Sequence, residues 1–159
     1  MITTSLISLA AVFAVSGSVQ EQEVAAAPAA EVQAASWNVI SRSSSTVYLL
    51  DVNAIKTEGG VKTAYIARVP AQGSPTDKTH TLSEVNLKCS ANQVKPGDEI
   101  YIGADGSEEE RIPSDYDFEP ISRNSLDDYA KSIVCGGDRS SQTFESVDAF
   151  INAGRPVRQ

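Results

Sequence analysis

Alternation of apolar and polar residues, the mark of a half-buried strand, recurs through the middle of this chain. Trp37-Asn38-Val39-Ile40 reads as a first strand and Ser41 to Ser45 as the turn after it. Thr46-Val47-Tyr48-Leu49-Leu50-Asp51, rich in β-branched and aromatic residues, predicts a second. Glu58-Gly59-Gly60 supplies a turn, because glycine takes positive φ at little cost. In the strand from Val61 to Val69, Val61, Tyr65 and Val69 share one face while Lys62 and Arg68 look outward. Pro70 to Lys78, with Gly73 and Pro75, predicts a loop. Thr79 to Cys89 reads as a fourth strand in which Val85, Leu87 and Cys89 share a parity; Leu82 breaks it, which suggests a bulge. Lys95-Pro96-Gly97-Asp98 reads as a turn, Glu99 to Ile102 as a short strand, and Asp105-Gly106 as a hairpin turn into Glu108 to Ile112. This rhythm implies a mainly antiparallel sheet.

Helical periodicity enters late. Leu126, Tyr129, Ala130, Ile133 and Val134 form one apolar stripe. Asn124 or Ser125 can cap its start, Asp127 and Asp128 suit the helix dipole, and Asp127 can pair with Lys131 one turn on. Cys135-Gly136-Gly137 ends it. A second, shorter helix is expected from Glu145 to Ala153, with Val147, Phe150 and Ile151 as its stripe and Gly154 as its stop. The fold class is therefore α+β, a mainly antiparallel sheet with one packed C-terminal helix.

The ends change the picture from a bare domain to an exported one. Leu6 to Val15 is an apolar run of signal-peptide length, followed by small residues, with cleavage expected after Ser16 or Ser18. It is shorter than the roughly 20 residues a spanning helix needs. No Lys or Arg precedes it, and no Cys follows it closely enough to carry a lipid anchor. Residues 1–18 thus read as a signal peptide, 19–35 as an Ala/Glu-rich tether interrupted by Pro28, 36–137 as the folded domain, and 138–159 as a tail with a short helix outside it. No stable membrane span is expected once the signal is removed. In an exported chain, Cys89 and Cys135 are best read as a disulfide. Two cysteines 46 positions apart and one distant histidine do not make a zinc site.

The formal net charge is −8. It argues against nucleic acid as a partner, since phosphate binding needs clustered Lys and Arg. Candidate chemistry is sparse. His80 stands alone, without a nucleophile motif, and reads as an ordinary strand-edge residue. Asp105 to Glu110 lacks the spacing of a calcium loop and reads as a charged hairpin tip. Asp115, Asp117 and Glu119 alternate and, if they lined a cleft, would suit glycoside chemistry; a solvated edge is the simpler reading. No phosphate-cradling glycine loop is present, and neither metal nor cofactor is expected.

The order of features resembles the surface-adhesin protein E-like domains of bacterial envelopes. Trp37 opens the region, followed by Tyr48-Leu49-Leu50-Asp51, Ile55, the Gly60 turn and the Val61 to Val69 strand. Asn86-Leu87-Lys88-Cys89, Tyr101-Ile102, Asp105-Gly106, Phe118-Glu119-Pro120-Ile121 and the Ser125-Leu126 helix ending in Cys135 complete it. The resemblance covers Trp37 to Cys135. It implies an antiparallel sheet, one packed helix, a Cys89–Cys135 bridge and an envelope or extracellular location. Three features depart from it: Tyr65 where such domains often carry Trp, no lipid-modified Cys, and an extra tail after Gly136. The expected role is a non-enzymatic, adhesin-like binding module for an unknown protein partner, periplasmic or extracellular. The alternatives are a small periplasmic hydrolase using the Asp115, Asp117 and Glu119 group, or a hydrolase inhibitor presenting the Pro70 to Lys78 loop.

Overall fold

A computed structural model describes residues 34–156, so the segment read as a signal peptide, 1–18, and tether residues 19–33 lie outside the described residues. In chain order the elements are β1 (Trp37–Arg42), β2 (Thr46–Asp51), β3 (Lys56–Glu58), β4 (Val61–Pro70), β5 (His80–Lys88), β6 (Gln93–Ile102), β7 (Glu108–Ile112), β8 (Glu119–Pro120), α1 (Leu126–Val134), β9 (Thr143–Phe144) and α2 (Val147–Asn152). The strands make one antiparallel sheet in the order β7-β6-β5-β4-β2-β1-β9, with β3 on β4 and β8 on β6. This is the α+β class that the strand-turn-strand rhythm predicts.

Each helix covers a different face of the sheet. On one side Leu50, Ala64, Ile66, Val85, Leu87 and Val94 pack under Ala130, Ile133 and Val134 of α1. On the other, Trp37, Val47, Leu49, Ala67 and Val69 pack under Val147, Phe150 and Ile151 of α2. Two-sided burial explains the adjacent apolar pair Leu49-Leu50, whose members point to opposite faces and are both fully buried. It also corrects the reading of β4 as a half-buried strand. Ala64 and Ile66, of the parity assigned to solvent, are core residues, and Lys62 donates to the Val134 carbonyl at 2.9 Å at the end of α1. Leu82 likewise breaks parity because it packs on the α2 side.

The tail expected to lie outside the domain is part of it. Phe144 pairs with Trp37, its ring meets Phe150 edge-on at 5.1 Å, and Phe150 and Ile151 are fully buried. The folded unit therefore runs past residue 137, and even Ala34 and Ala35, placed in the tether, touch it: the Ala34 carbonyl accepts from Asn53 at 2.6 Å.

The turn expected at Lys95 to Asp98 is instead a bulge inside β6. The register with β5 shifts between Ser83 and Val85, so Gly97 lies opposite Glu84. A Cβ at Gly97 would come within 2.4 Å of the Glu84 carboxylate, which lies across the backbone there. Pro96 is tolerated because this stretch falls between the segments of β6 paired to β8 and to β7, where no ladder partner needs its N–H. The chain reverses earlier, at Cys89 to Asn92, with Asn92 at φ 54°.

Helix α1 is capped by Ser125, whose hydroxyl accepts from the Asp128 N–H at 3.2 Å while Asp128 accepts from the Asn124 N–H at 2.9 Å. Its exposed side differs from the stripe: Tyr129 is 49% exposed. Cys135, the C-cap, is bridged to Cys89 just beyond β5.

Candidate functional site

Because α1 crosses only part of its face, two rows of that face differ in character. Toward one end, Ala64 and Val85 and then Leu87 and Val94 lie beneath the helix. Toward the other, Tyr48, Arg68, Thr81 and Tyr101 stand side by side on four neighbouring strands, and all are half-buried. Between them runs the row Leu50, Ile66, Ser83 and Glu99.

Glu99 organises the open half. Its Oε1 accepts from the Arg68 guanidinium at 2.6 Å and from the Ser83 hydroxyl at 3.3 Å, and its Oε2 accepts from the Tyr101 phenol at 3.1 Å. The Arg68 and Glu99 side chains are 38% and 35% exposed, so the ion pair adds little to stability. What it does is hold both side chains in fixed positions. The hydrogen bond to Glu99 pushes the Tyr101 phenol above its usual range.

Beside this cluster, under the first turn of α1, lies a cleft of about 160 Å³. Ile66, Val85, Val94 and Leu126 give it apolar walls, and Arg68, Glu84, Glu99 and Asp127 are its charged members. Burial pushes the Asp127 carboxyl above the usual carboxylate range. The expected Asp127–Lys131 pair is not formed, since Lys131 donates instead to Asn92 Oδ1 at 2.5 Å. Pro96 and Glu99 also line a second cleft, of about 350 Å³, walled by Ile112, Pro113 and Tyr116. Ile112 and Tyr116 are 45% and 64% exposed.

The residues singled out for chemistry lie apart from this place. Asp115, Asp117 and Glu119 are all exposed, on or just before β8. His80, read as an ordinary strand-edge residue, opens β5 and is buried on the α2 side, where its Nδ1 donates to the Lys78 carbonyl at 2.6 Å. Burial holds its pKa below the usual value, against the opposing pull of the Lys78 carbonyl and Asp148. Asp105 accepts from the Ser107 N–H and hydroxyl at 2.9 and 2.6 Å, the self-contained turn of a hairpin tip. Among the described residues no group of three His, Cys, Asp or Glu side chains is placed to hold a metal ion.

The Pro70 to Lys78 loop is braced from below. Buried Arg155 donates to the carbonyls of Gly73, Ser74 and Asp77 at 2.9, 3.0 and 3.0 Å, and Lys78 bonds Asn152 of α2. Reading the sequence missed both this brace and the Glu99 cluster. Their members are spread over distant strands, and only the sheet register unites them. No helix among the described residues is long and apolar enough to cross a membrane. No protein-family model, curated protein or solved structure matches the chain.

Proposed function

We propose that the protein is a non-enzymatic binding module, exported to the periplasm or beyond, that meets a protein partner through the open half of the α1 face. The observation that carries this reading is the uncovered surface itself. Arg68, Glu99, Ser83 and Tyr101 are held in place by one another before any partner arrives, and a cleft at the start of α1 adjoins them. Such preorganisation lowers the entropy that binding must overcome. Asp115, Asp117 and Glu119 are exposed and line neither cleft described above, which speaks against the hydrolase alternative. Export is supported by the Cys89–Cys135 bridge, which persists in oxidising compartments. The surface-adhesin E-like resemblance is supported to the extent that it implies an antiparallel sheet, a packed helix and this bridge.

A photocrosslinker at Tyr101 is expected to capture one reproducible protein from the envelope or medium of the source cells. The same probe at Thr57, exposed on β3, is not. Capture at neither position, or equally at both, ends this reading.

The inhibitor alternative retains one favourable observation, the exposed stretch from Gly73 to Thr76 held rigid by Arg155. A crosslinked partner seated on that loop rather than on Tyr101 would shift the assignment to it.

A further inference from the structure

If the open face is indeed a binding surface, the charges around its cleft narrow the partner. Three cations and carboxylates near α1 already have fixed partners. Arg68 is held by Glu99 at 2.6 Å, Lys131 by Asn92, and Asp128 accepts the Asn124 N–H of the helix cap. Asp127 has no hydrogen-bond or ion-pair partner among the described residues, although it lines the cleft and is partly withdrawn from water. A half-desolvated carboxylate above an aliphatic floor is poorly solvated and unpaired.

The occupant that meets both demands is a side chain with a methylene stem and a cationic end. Its stem lies on Ile66, Val85 and Leu126, and its head reaches Asp127. The cleft's 160 Å³ has room for one such side chain and is below the size of ordinary cofactor pockets. An apolar side chain would seal Asp127 away without a counter-charge, and an acidic one would be repelled. Past Pro96 and Glu99 the surface continues to the exposed Ile112 and Tyr116, where a neighbouring residue of the same segment can rest. Asp115 and Asp117, both exposed, flank Tyr116 in the sequence, in a chain of net charge −8. Such a field speeds encounter with basic partners.

We propose that the cleft at the start of α1 receives a Lys or Arg side chain from a basic segment of another protein, its head group pairing with Asp127 and its neighbour lying against Ile112 and Tyr116.

The test is an amide NMR titration of the exported chain with a hexalysine peptide at physiological salt. The expected result is a footprint on Ser83, Leu126 and Asp127. Asp127→Asn, which keeps the side chain's shape, is expected to weaken binding about tenfold. Glu109→Gln makes the same charge change on exposed β7 and should alter affinity less than about twofold, as a distant rim charge does. Equal losses in the two variants would reduce the effect to general attraction and overturn the proposal. So would a footprint on β7, or spermine binding the same cleft as tightly as the peptide. If hexalysine fails while the Tyr101 probe still captures its partner, the cationic assignment falls and the binding reading stands. If the Tyr101 capture fails as well, both fall.

Discussion

His80 and Asp127 are both drawn out of water, and burial moves their titrations in opposite directions. For Asp127 the folded state favours the neutral acid, so its ionisation at neutral pH costs stability, and Asp127→Asn leaves a chain that folds at least as well. For His80 the folded pKa lies below the ordinary value of 6.5. At a pH just under that value the unfolded chain takes up a proton that the folded chain refuses. The contribution of His80 is therefore fully present above pH 6.5 and is lost as the pH falls below it. Urea midpoints measured from pH 7.5 down to pH 5 should fall more steeply for the native chain than for His80→Asn. The Asn amide can still donate to the Lys78 carbonyl but does not titrate. Parallel curves for the two would mean that burial does not govern this ring. The histidine was legible as a residue without catalytic partners, but not as a buried one, because its position at the start of β5 gives no hint that α2 lies above it.

At the level of elements, the strands were read well and the layers less so. Turn glycines and β-branched runs specify where β1, β2, β4, β5 and β7 begin and end, since those signals are local. Which face is buried is not local. A strand covered on both sides reads as a broken alternation, and the Leu49-Leu50 pair and Leu82 were that signal. The second cover is α2, whose stripe of Val147, Phe150 and Ile151 was visible as an amphipathic pattern but was assigned to a free tail. An apolar stripe on a six-residue helix has no stability of its own, so its presence implies a surface that it covers. Phe150 is fully buried against Trp37, Val47 and Leu49. Phe150→Ala should cost about 3–5 kcal/mol, the range for deleting a buried aromatic ring, with a red shift of Trp37 emission as water reaches the α2 face. A loss below about 1 kcal/mol would show that the C-terminal helix is an accessory rather than part of the core.

For the whole molecule, the disulfide joins what the sequence made legible to what only the fold reveals. Its two cysteines, 46 positions apart, close a loop that contains β6, β7, β8 and α1, and with them Glu99 and Tyr101 of the cluster and Leu126 and Asp127 of the cleft. The open face was unreadable beforehand because its residues come from four strands and a helix start, and nothing in their spacing marks them. The bridge that keeps those parts together was readable from two cysteines and the apolar run from Leu6 to Val15. In the chain-entropy picture a loop of this length contributes about 4 kcal/mol, acting on the unfolded state. A domain of this size has only about 5–15 kcal/mol in all. The α2 layer and its Trp37 core lie outside the bridged loop, whereas α1 is held to the sheet by the bridge, the Lys62 bond to Val134 and its buried stripe. Reduction should therefore lower the urea midpoint substantially, and its local effect should be uneven. Hydrogen exchange is expected to rise first in α1 and the β5–β6 turn, while amides of β1 and β2 around Trp37 keep most of their protection. Reduction should also weaken any ligand of the Asp127 cleft, because that cleft exists only while α1 is docked. An unchanged midpoint with and without reductant, or uniform loss of protection across both faces, would mean that α1 is held by packing alone and that the bridge does not position the site.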